Sequence, residues 1–265
     1  MSRERLVDWF RGKGGVVVAF SGGVDSAVVA KAAVMALGDA AIAATSSSPT
    51  LPARELEGAR RLAVEIGIRH VVFEEDEFSD PKFRENSPER CYHCRKGLVR
   101  GLQRVAAERA AAYIVDGANA DDTRAHRPGL RAMREAGVRS PLLELGMGKE
   151  EVREIAKAFG LSAAEKPSMA CLASRIPYGE EITPEKLLMV ERAEEIIKAL
   201  GFDQVRVRSH DGIARVEVPR EEIPRLVEHR GEVARGLRRI GFSYVTLDLE
   251  GYRSGSMDEV LNYYK

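Results

Sequence analysis

Ser21-Gly22-Gly23-Val24-Asp25-Ser26 is the stretch that decides the fold. The apolar, largely β-branched run 16–20 precedes it and predicts a buried strand. The alanine-rich run 27–37, which contains neither glycine nor proline, follows it and predicts a helix with Asp25 and Ser26 placed as caps. A strand, a glycine turn and a helix start direct backbone N–H groups and the positive end of the helix dipole at one point. The stretch therefore predicts an oxyanion site such as a phosphate site.

The residue spacing of this stretch excludes two common phosphate-binding motifs. No lysine follows Gly22 and Gly23, which excludes a Walker A loop, and the third glycine of a dinucleotide-binding fingerprint is missing. The loop resembles that of the PP-loop ATP pyrophosphatases, which cleave ATP between its α- and β-phosphates to adenylate a substrate. This resemblance implies that Asp25 helps to hold Mg²⁺ and that Ser21 and Ser26 donate to phosphate oxygens. The alternative is a glycine turn that merely connects a strand to a helix.

Bulk properties restrict the class of protein. The 265 residues exceed a typical single domain, so one large or two moderate domains are expected. Lys and Arg number 41, as do Asp and Glu, so no net positive field recruits nucleic acid. No apolar run approaches the ~20 residues of a membrane span, and residues 1–15 lack the apolar core of a signal peptide. We therefore expect a cytoplasmic protein with neither a membrane nor a nucleic-acid partner.

Strand and helix patterns alternate along the first part of the chain. Strands are expected at 40–45, 70–73 and 113–117, with helices at 53–66 and 97–112. This alternation predicts an α/β fold, a doubly wound parallel sheet whose ligands bind at the carboxyl ends of its strands. The loop after Thr45 should therefore line the same crevice as the Ser21 loop, and the PP-loop resemblance makes it the loop for adenine and ribose, with Gly117 also on the ATP side. The stretches 76–88 and 121–135 show no clear period and are expected to be loops.

The stretch 165–179, Glu-Lys-Pro-Ser-Met-Ala-Cys-Leu-Ala-Ser-Arg-Ile-Pro-Tyr-Gly, and the following 181–186 carry a second resemblance. Together with the Ser21 loop and the segment 251–255, they resemble the LarE family of ATP-dependent sulfur transferases. The resemblance implies a PP-loop domain at 1–168 and a smaller C-terminal α/β domain at 169–265 for substrate binding and oligomerisation. It also implies a hexameric homo-oligomer and a small mononucleotide substrate, whose phosphate would contact Ser174 and Arg175. The family makes the thiolated pincer nucleotide that carries nickel in lactate racemase.

The chain contains three cysteines, an odd number that argues for a metal or a reactive thiol. Cys91 and Cys94 have the spacing that lets two thiolates reach one metal centre, and Cys171 is distant in sequence. One group of the LarE family has only the cysteine that matches Cys171 and gives up its sulfur. The three thiolates here favour a [4Fe–4S] cluster with an open position for a transferable sulfide. A closed zinc site with His93, a Cys91–Cys94 redox pair that regenerates a persulfide on Cys171, and inert thiols are the alternatives.

The last ~95 residues, a length expected of a small domain, predict a separate α/β unit. A helix is expected at 184–200, and two alternating strands flank Asp211-Gly212, a hairpin signal. A two-residue turn pairs Arg208 with Arg215 and Arg206 with Glu217. Like charges directly opposite cost up to about 1 kcal/mol, so this face is expected to bind an anion. The LarE resemblance makes Arg206 and Arg208 the ligands of the mononucleotide phosphate.

The resulting functional prediction is an ATP-dependent sulfurtransferase. The LarE resemblance implies that the enzyme would adenylate a carboxylate of pyridinium-3,5-biscarboxylic acid mononucleotide, and sulfur carried by the three-cysteine cluster, or Cys171 itself, would form a thiocarboxylate. The source of the sulfide stays open. The alternatives are an amidating PP-loop synthetase that uses ammonia, a tRNA-thiolating enzyme, and an ATP-binding sensor with a structural zinc.

Overall fold

The structure is a computed structural model that describes residues 2–124, 128–167, 170–253, 255–257 and 259. The chain folds into two compact units, one of Met1–Phe83 with Glu89–Met169 and one of Arg84–Pro88 with Ala170–Lys265. Up to residue 158 the described residues form, in order, α1 (Ser2–Phe10), β1 (Val16–Ala19), α2 (Val24–Leu37), β2 (Ala41–Ser47), α3 (Ala53–Ile66), β3 (Arg69–Glu74), α4 (Pro81–Arg84), α5 (Arg90–Glu108), β4 (Tyr113–Val115), α6 (Pro128–Glu135), α7 (Pro141–Glu144) and α8 (Lys149–Ala158).

The strands of the first unit form a parallel sheet in the order β3-β2-β1-β4. The central strand β1 is buried on both faces, which is why its sequence is a continuous apolar run. Val16 and Val18 face a core that α1, α2, α3 and α8 complete, whereas Val17 faces Leu102 and Val105 of α5 on the other side. The prediction of a doubly wound parallel α/β sheet is confirmed.

Three predictions about local structure are wrong. The stretch 76–88, expected to be a loop, contains α4, whose Phe83 is buried. The helix expected from residue 97 begins at Arg90, so Cys91 and Cys94 lie in its first turn. The stretch 121–135, also expected to be a loop, contains α6, because Ala132 and Met133 are buried, Met133 in the core that includes α5. Periodicity missed α6 because its eight residues make only about two helical turns, too few for a repeat to be recognised.

The second unit contains α9 (Pro184–Ala199), β5 (Arg206–His210), β6 (Ile213–Glu217), α10 (Ile223–Glu228), α11 (Arg230–Ile240) and β7 (Tyr244–Leu247). Its sheet has the order β5-β6-β7, with β5 antiparallel and β7 parallel to β6. The hairpin register pairs Arg206 with Glu217 and Arg208 with Arg215, as predicted. Asp211 and Gly212 both have positive φ, 43° and 81°, as a two-residue turn between twisted strands requires. Helices α9 and α11 cover one face of this sheet.

The segment 84–88 belongs to the second unit, although the predicted boundary placed it in the first. The reason is the fully buried Asn86, whose side-chain amide donates to the carbonyls of Ile176, Pro177 and Glu180 at 3.3, 2.6 and 3.0 Å. A sequence pattern does not reveal such a contact between segments 90 residues apart. None of the helices in the described residues is long and apolar enough to cross a bilayer.

Candidate active site

The loop Ser21–Ser26 joins the carboxyl end of β1 to the start of α2. Phe20 N donates to Ala44 O at 2.8 Å, so the sheet continues to the edge of the loop. Gly23 is the N-cap of α2, and among the described residues no side chain caps it. The prediction that Asp25 and Ser26 cap the helix is therefore wrong. Ser26 Oγ instead donates to the Gly23 carbonyl at 3.1 Å and lies 3.3 Å from Ser21 Oγ, which places both hydroxyls at the helix N-terminus.

Gly22 has φ of 71° and is packed against α3. A Cβ at this position would lie 3.0 Å from both Cα and Cβ of Ala59, so the backbone conformation and the contact both require glycine. The Gly22 carbonyl accepts a hydrogen bond from Lys166 Nζ at 3.0 Å, and Lys166 Nζ lies 2.8 Å from Glu55 Oε2. The sequence analysis missed Lys166, because the motif itself contains no lysine and 144 residues separate the two partners.

Gly117 lies behind the start of α2. A Cβ on Gly117 would be 2.8 Å from Ser26 N and 3.0 Å from the carbonyl carbon of Asp25. The glycine thus lets the chain after β4 approach the backbone from which the anion site is built. Gly117 was predicted as a contact of ATP. That role stays a prediction, and the structure adds a steric one.

Asp25 lies in the first turn of α2, and Asn119 holds its carboxyl group. Asn119 Nδ2 donates to Asp25 Oδ1 at 3.0 Å, while Asn119 Oδ1 accepts from Asp121 N and Asn119 N donates to Asp122 Oδ2, both at 3.0 Å. Burial raises the pKa of the Asp25 carboxyl above its usual value, and the hydrogen bond from Asn119 and the charge of Lys149 oppose that shift. A bound Mg²⁺ would favour the same carboxylate form, as the predicted metal role of Asp25 requires.

Thr45 is buried, and its hydroxyl is occupied by protein partners. Thr45 Oγ1 donates to Phe20 O at 2.6 Å and lies 2.7 Å from His70 Nε2, which consequently acts as the donor. Burial lowers the pKa of His70, followed by the charge of Arg60, so the ring is neutral at physiological pH. Thr45 was predicted to contact ATP. Its hydroxyl instead fixes the residue that leads into the Ser21 loop, and contact with nucleotide stays a prediction.

An open cleft of about 540 Å³ lies where β2 and β3 end. The residues that line it are Ser47, Ser48, Pro49, Glu74, Glu75 and Asp76. The buried Glu77 shapes the cleft by accepting hydrogen bonds from Ser48 Oγ and Thr50 Oγ1, at 2.6 and 2.7 Å. Burial and the charge of Glu77 raise the pKa of Glu75 to about 7. Ser47 and Ser48 belong to the loop predicted to hold adenine and ribose, and the binding of a nucleotide in this cleft stays a prediction.

Cys91 and Cys94 share one face of the first turn of α5, whereas His93 lies about 200° from Cys91 around the helix. His93 Nδ1 lies 3.2 Å from Asp80 Oδ2. No disulfide joins the three cysteines. In the ranges that the structure describes, no three His, Cys, Asp or Glu side chains are gathered in a manner that could hold a metal ion. The helix therefore does not support His93 as a zinc ligand beside these two thiols.

In the second unit, Cys171 is exposed at the start of a tight turn that Arg175 holds from inside. Arg175, only 1% exposed, donates from Nη1 to the carbonyls of Ala170 and Cys171 at 2.9 and 3.1 Å. Its other edge pairs with Glu194, with Nε 2.8 Å from Oε1. Ser174 Oγ also donates to Cys171 O, at 2.8 Å. Ser174 and Arg175 thus fix the backbone that presents the Cys171 thiol, and their predicted contact with a substrate phosphate stays a prediction.

Arg208 and Arg215 do not repel each other across the hairpin as expected. Glu217 lies between them: Arg208 Nη2 is 2.7 Å from Oε2 and Arg215 Nη2 is 3.1 Å from Oε1. The charge argument for an anion on this face was therefore wrong, because Glu217 pairs with both arginines and Asp248 Oδ2 lies 3.4 Å from Arg215 Nη1. Arg208 also donates to Ser174 O at 3.1 Å and to Ser256 Oγ at 3.2 Å, which occupies its remaining edge.

The contacts of Arg206 differ from those of Arg208 and Arg215. It is buried, donates to the Val205 carbonyl at 2.8 Å and has its guanidinium carbon 5.3 Å from the ring centroid of Tyr252. In the part of the chain that the structure describes, no carboxylate lies within ion-pair distance of Arg206. Burial and the charge of Arg175 lower its pKa. A buried cation that, among the described residues, has no carboxylate in ion-pair contact and is offset by the more distant charge of Glu194 is the feature of this unit that best suits an anionic ligand.

A parallel sheet whose first strand leads through Ser-Gly-Gly-Val-Asp-Ser into a helix defines the class of PP-loop nucleotide-binding enzymes. Residues 8–108 match the family model of NAD synthase. The chain is 39% identical over 247 residues to pyridinium-3,5-bisthiocarboxylic acid mononucleotide synthase of Lactiplantibacillus plantarum, covering 93% of this chain and 90% of that protein. The chain therefore belongs to the LarE family, whose members are PP-loop, ATP-using sulfurtransferases.

The chain is also similar to two other proteins. An uncharacterized protein of Synechocystis is 46% identical over 260 residues, 97% of each chain. A component of the glutamine-hydrolyzing GMP synthase of Archaeoglobus fulgidus is 30% identical over 210 residues, 74% of this chain and 66% of that protein. Similarity across the PP-loop class thus extends beyond sulfur transfer.

Proposed function

We propose that the enzyme adenylates a carboxylate of pyridinium-3,5-biscarboxylic acid mononucleotide and converts it to a thiocarboxylate, a step in making a nickel-pincer nucleotide. The observation that carries this proposal is the pairing of two features in one chain. The first unit contains the PP-loop, and the second contains an exposed cysteine on a turn braced by Arg175, together with the buried Arg206, which has no ion pair among the described residues. The identity with the Lactiplantibacillus plantarum synthase supports this substrate.

The first chemical step follows from the poor leaving ability of a carboxylate oxygen. A substrate carboxylate oxygen attacks the α-phosphorus of ATP, the bond to the β-phosphate oxygen breaks, and pyrophosphate leaves with the electron pair. The N–H groups at the start of α2 and the hydroxyls of Ser21 and Ser26 would hold the phosphate oxygens. Asp25, oriented by Asn119, would hold Mg²⁺, which neutralises charge on the phosphates when bound.

The second step is attack of sulfur on the carbonyl carbon of the acyl-adenylate, with AMP as the leaving group. Arg206 would hold the phosphate of the mononucleotide, since its charge has no carboxylate partner among the described residues. Arg208 and Arg175 would contribute mainly by holding Glu217 and the Cys171 turn. The exposed thiol of Cys171 is presented for this attack, or for carrying the sulfur that attacks.

For the source of the sulfur, we propose that the thiolates of Cys91, Cys94 and Cys171 hold a [4Fe–4S] cluster. Three accessible thiols, with two on one helical face, fit the donor chemistry of such a cluster. A bound cluster would supply a sulfur atom that can be replaced after each turnover. The alternative is a sacrificial Cys171, which would be consumed in a single turnover. A homo-oligomeric enzyme working on a small nucleotide in the cytoplasm is part of the same proposal.

The test combines metal analysis with product analysis on protein purified without oxygen. We expect about four irons per chain and broad absorption near 400 nm, typical of a cubane held by thiolates. One zinc without iron would contradict the cluster, and a loss of mass at Cys171 after one turnover would identify the sacrificial route.

The activity itself is tested with the mononucleotide, ATP, Mg²⁺ and sulfide. Cys171→Ala should still release pyrophosphate and form no thiocarboxylate. Continued thiolation by this variant would refute the role of Cys171, and ammonia-dependent amidation that needs no cysteine would instead favour a synthetase like GMP synthase.

A further inference from the structure

The Ser21 loop contains no cation of its own. Residues 21–30 include neither lysine nor arginine, yet the β- and γ-phosphates of ATP carry most of the charge of the nucleotide. Backbone N–H groups at a helix start supply only about half an elementary charge. A site that separates pyrophosphate from ATP therefore needs a further positive group near the loop, besides a metal ion.

Lys166 places such a group against the loop. Its Nζ lies 3.0 Å from the Gly22 carbonyl oxygen and 2.8 Å from Glu55 Oε2 of α3. The side chain of Lys166 is 28% exposed, and that of Glu55 is 11% exposed. A Cβ built on Gly58 would approach Lys166 Nζ to 3.7 Å, so the ammonium has close neighbours on α3 as well. An ammonium has three donors; the Gly22 carbonyl accepts from one of them, and the contact with Glu55 Oε2 is an ion pair without hydrogen-bond geometry.

Arg153 fixes the backbone that carries Lys166. Arg153 of α8 donates from Nη1 to Ala164 O at 2.5 Å and from Nη2 to Lys166 O at 3.2 Å. The main chain is therefore fixed while the side chain retains its flexible stem. The ammonium thus lies at the carbonyl oxygen of the peptide that joins Gly22 to Gly23, on a flexible four-carbon stem that allows other rotamers.

We propose that Lys166 binds the β- and γ-phosphates of ATP, and that Glu55 and the Gly22 carbonyl hold its ammonium while the loop contains no nucleotide. This inference rests on the proposed use of ATP, and it assigns to Lys166 the binding of pyrophosphate, the leaving group of the adenylation. When the bond between the α- and β-phosphates breaks, negative charge grows on the β-phosphate oxygen. The ammonium stabilises that charge without giving up a proton.

The test compares two probes that differ in the pyrophosphate moiety. Binding of α,β-methylene-ATP, which resists cleavage between the α- and β-phosphates, and of AMP is measured calorimetrically with Mg²⁺ on the full chain. For Lys166→Met we expect the affinity for α,β-methylene-ATP to fall about 10- to 100-fold, the loss typical of a charge-assisted hydrogen bond. The affinity for AMP should change less than about twofold, because AMP lacks the phosphates that Lys166 contacts.

Lys31→Met is the matched control, since Lys31 Nζ also donates to a backbone carbonyl of this unit, that of Ile66 at 3.2 Å. It should leave both affinities unchanged. Glu55→Gln should keep or increase the affinity for α,β-methylene-ATP, because it weakens the competing contact of the ammonium. If Lys166→Met loses affinity equally for AMP and α,β-methylene-ATP, or if Glu55→Gln loses as much affinity as Lys166→Met, Lys166 only supports the structure of the loop, and the proposal is overturned. If the unmodified protein binds neither nucleotide, the proposed use of ATP fails instead.

Discussion

Replacing Gly117 by alanine tests whether the chain after β4 supports the anion site. The new Cβ would lie 2.8 Å from Ser26 N, 3.0 Å from the carbonyl carbon of Asp25 and 3.1 Å from Ser26 Cα. All three neighbours are backbone atoms in the first turn of α2, so no side chain can rotate away. Either the chain after β4 or the helix start must shift by several tenths of an ångström.

The expected cost follows from two opposing effects. Forcing a methyl group into a close-packed site costs about 1–3 kcal/mol. Gly117 does not have positive φ, so alanine also restricts the unfolded chain and returns about 0.4–1 kcal/mol. The free energy of unfolding should therefore fall by about 0.6–2 kcal/mol, the difference between the lower and between the upper values of these two effects. The affinity for α,β-methylene-ATP should fall as well, because Ser26 and Asp25 move.

Urea unfolding and nucleotide titration of Gly117→Ala measure both effects. Gly14→Ala is the matched control, because a Cβ on Gly14 has nothing within 4 Å and its φ is not positive. Its stability should be unchanged or slightly raised. The steric reasoning is refuted if Gly117→Ala is as stable as Gly14→Ala and binds the nucleotide equally well.

Three further predictions concern single side chains. The raised pKa of Glu75 means that the folded state binds its proton more tightly than the unfolded state, so stability should fall between pH 4.5 and about 7. In Glu75→Gln, the loss of unfolding free energy between pH 5 and pH 8 should be smaller by about 1–2 kcal/mol, a figure that allows for solvent screening. Urea unfolding at the two pH values measures this loss, and an unaltered pH dependence would contradict the prediction. Asn119→Ala should raise the Mg²⁺ concentration for half-maximal pyrophosphate release about tenfold, because the amide orients Asp25. The rate of pyrophosphate release at saturating Mg²⁺ should change little. A lower maximal rate with the same Mg²⁺ requirement would argue against this role. Arg206→Met should raise the KM of the mononucleotide about 10- to 100-fold and leave that of ATP unchanged, and steady-state kinetics showing both unchanged would exclude Arg206 as the phosphate ligand.

The sequence alone determined the local architecture. The apolar run of β1, the glycine loop and the alanine-rich α2 predicted a strand, a turn and a helix, and the Asp211-Gly212 turn predicted the register of the β5–β6 hairpin. These features are encoded by residues close together in the chain, where periodicity and backbone preferences act directly. Helix α6 escaped prediction because it is short and its buried Met133 packs in the core that includes α5, and the start of α5 escaped because residues 90–96 are mostly polar.

Only the tertiary structure decided which side chains meet. It brought Lys166 to the carbonyl of Gly22, set Gly117 behind the helix start, and placed Glu217 between Arg208 and Arg215. The first two contacts join segments about ninety or more residues apart, and no local preference of either partner specifies them. The third is local in sequence, but the charge on a strand face depends on which rotamers the surrounding core allows. The sequence thus encoded the loop that can hold a phosphate, whereas packing selected the cations and the supporting glycine around it.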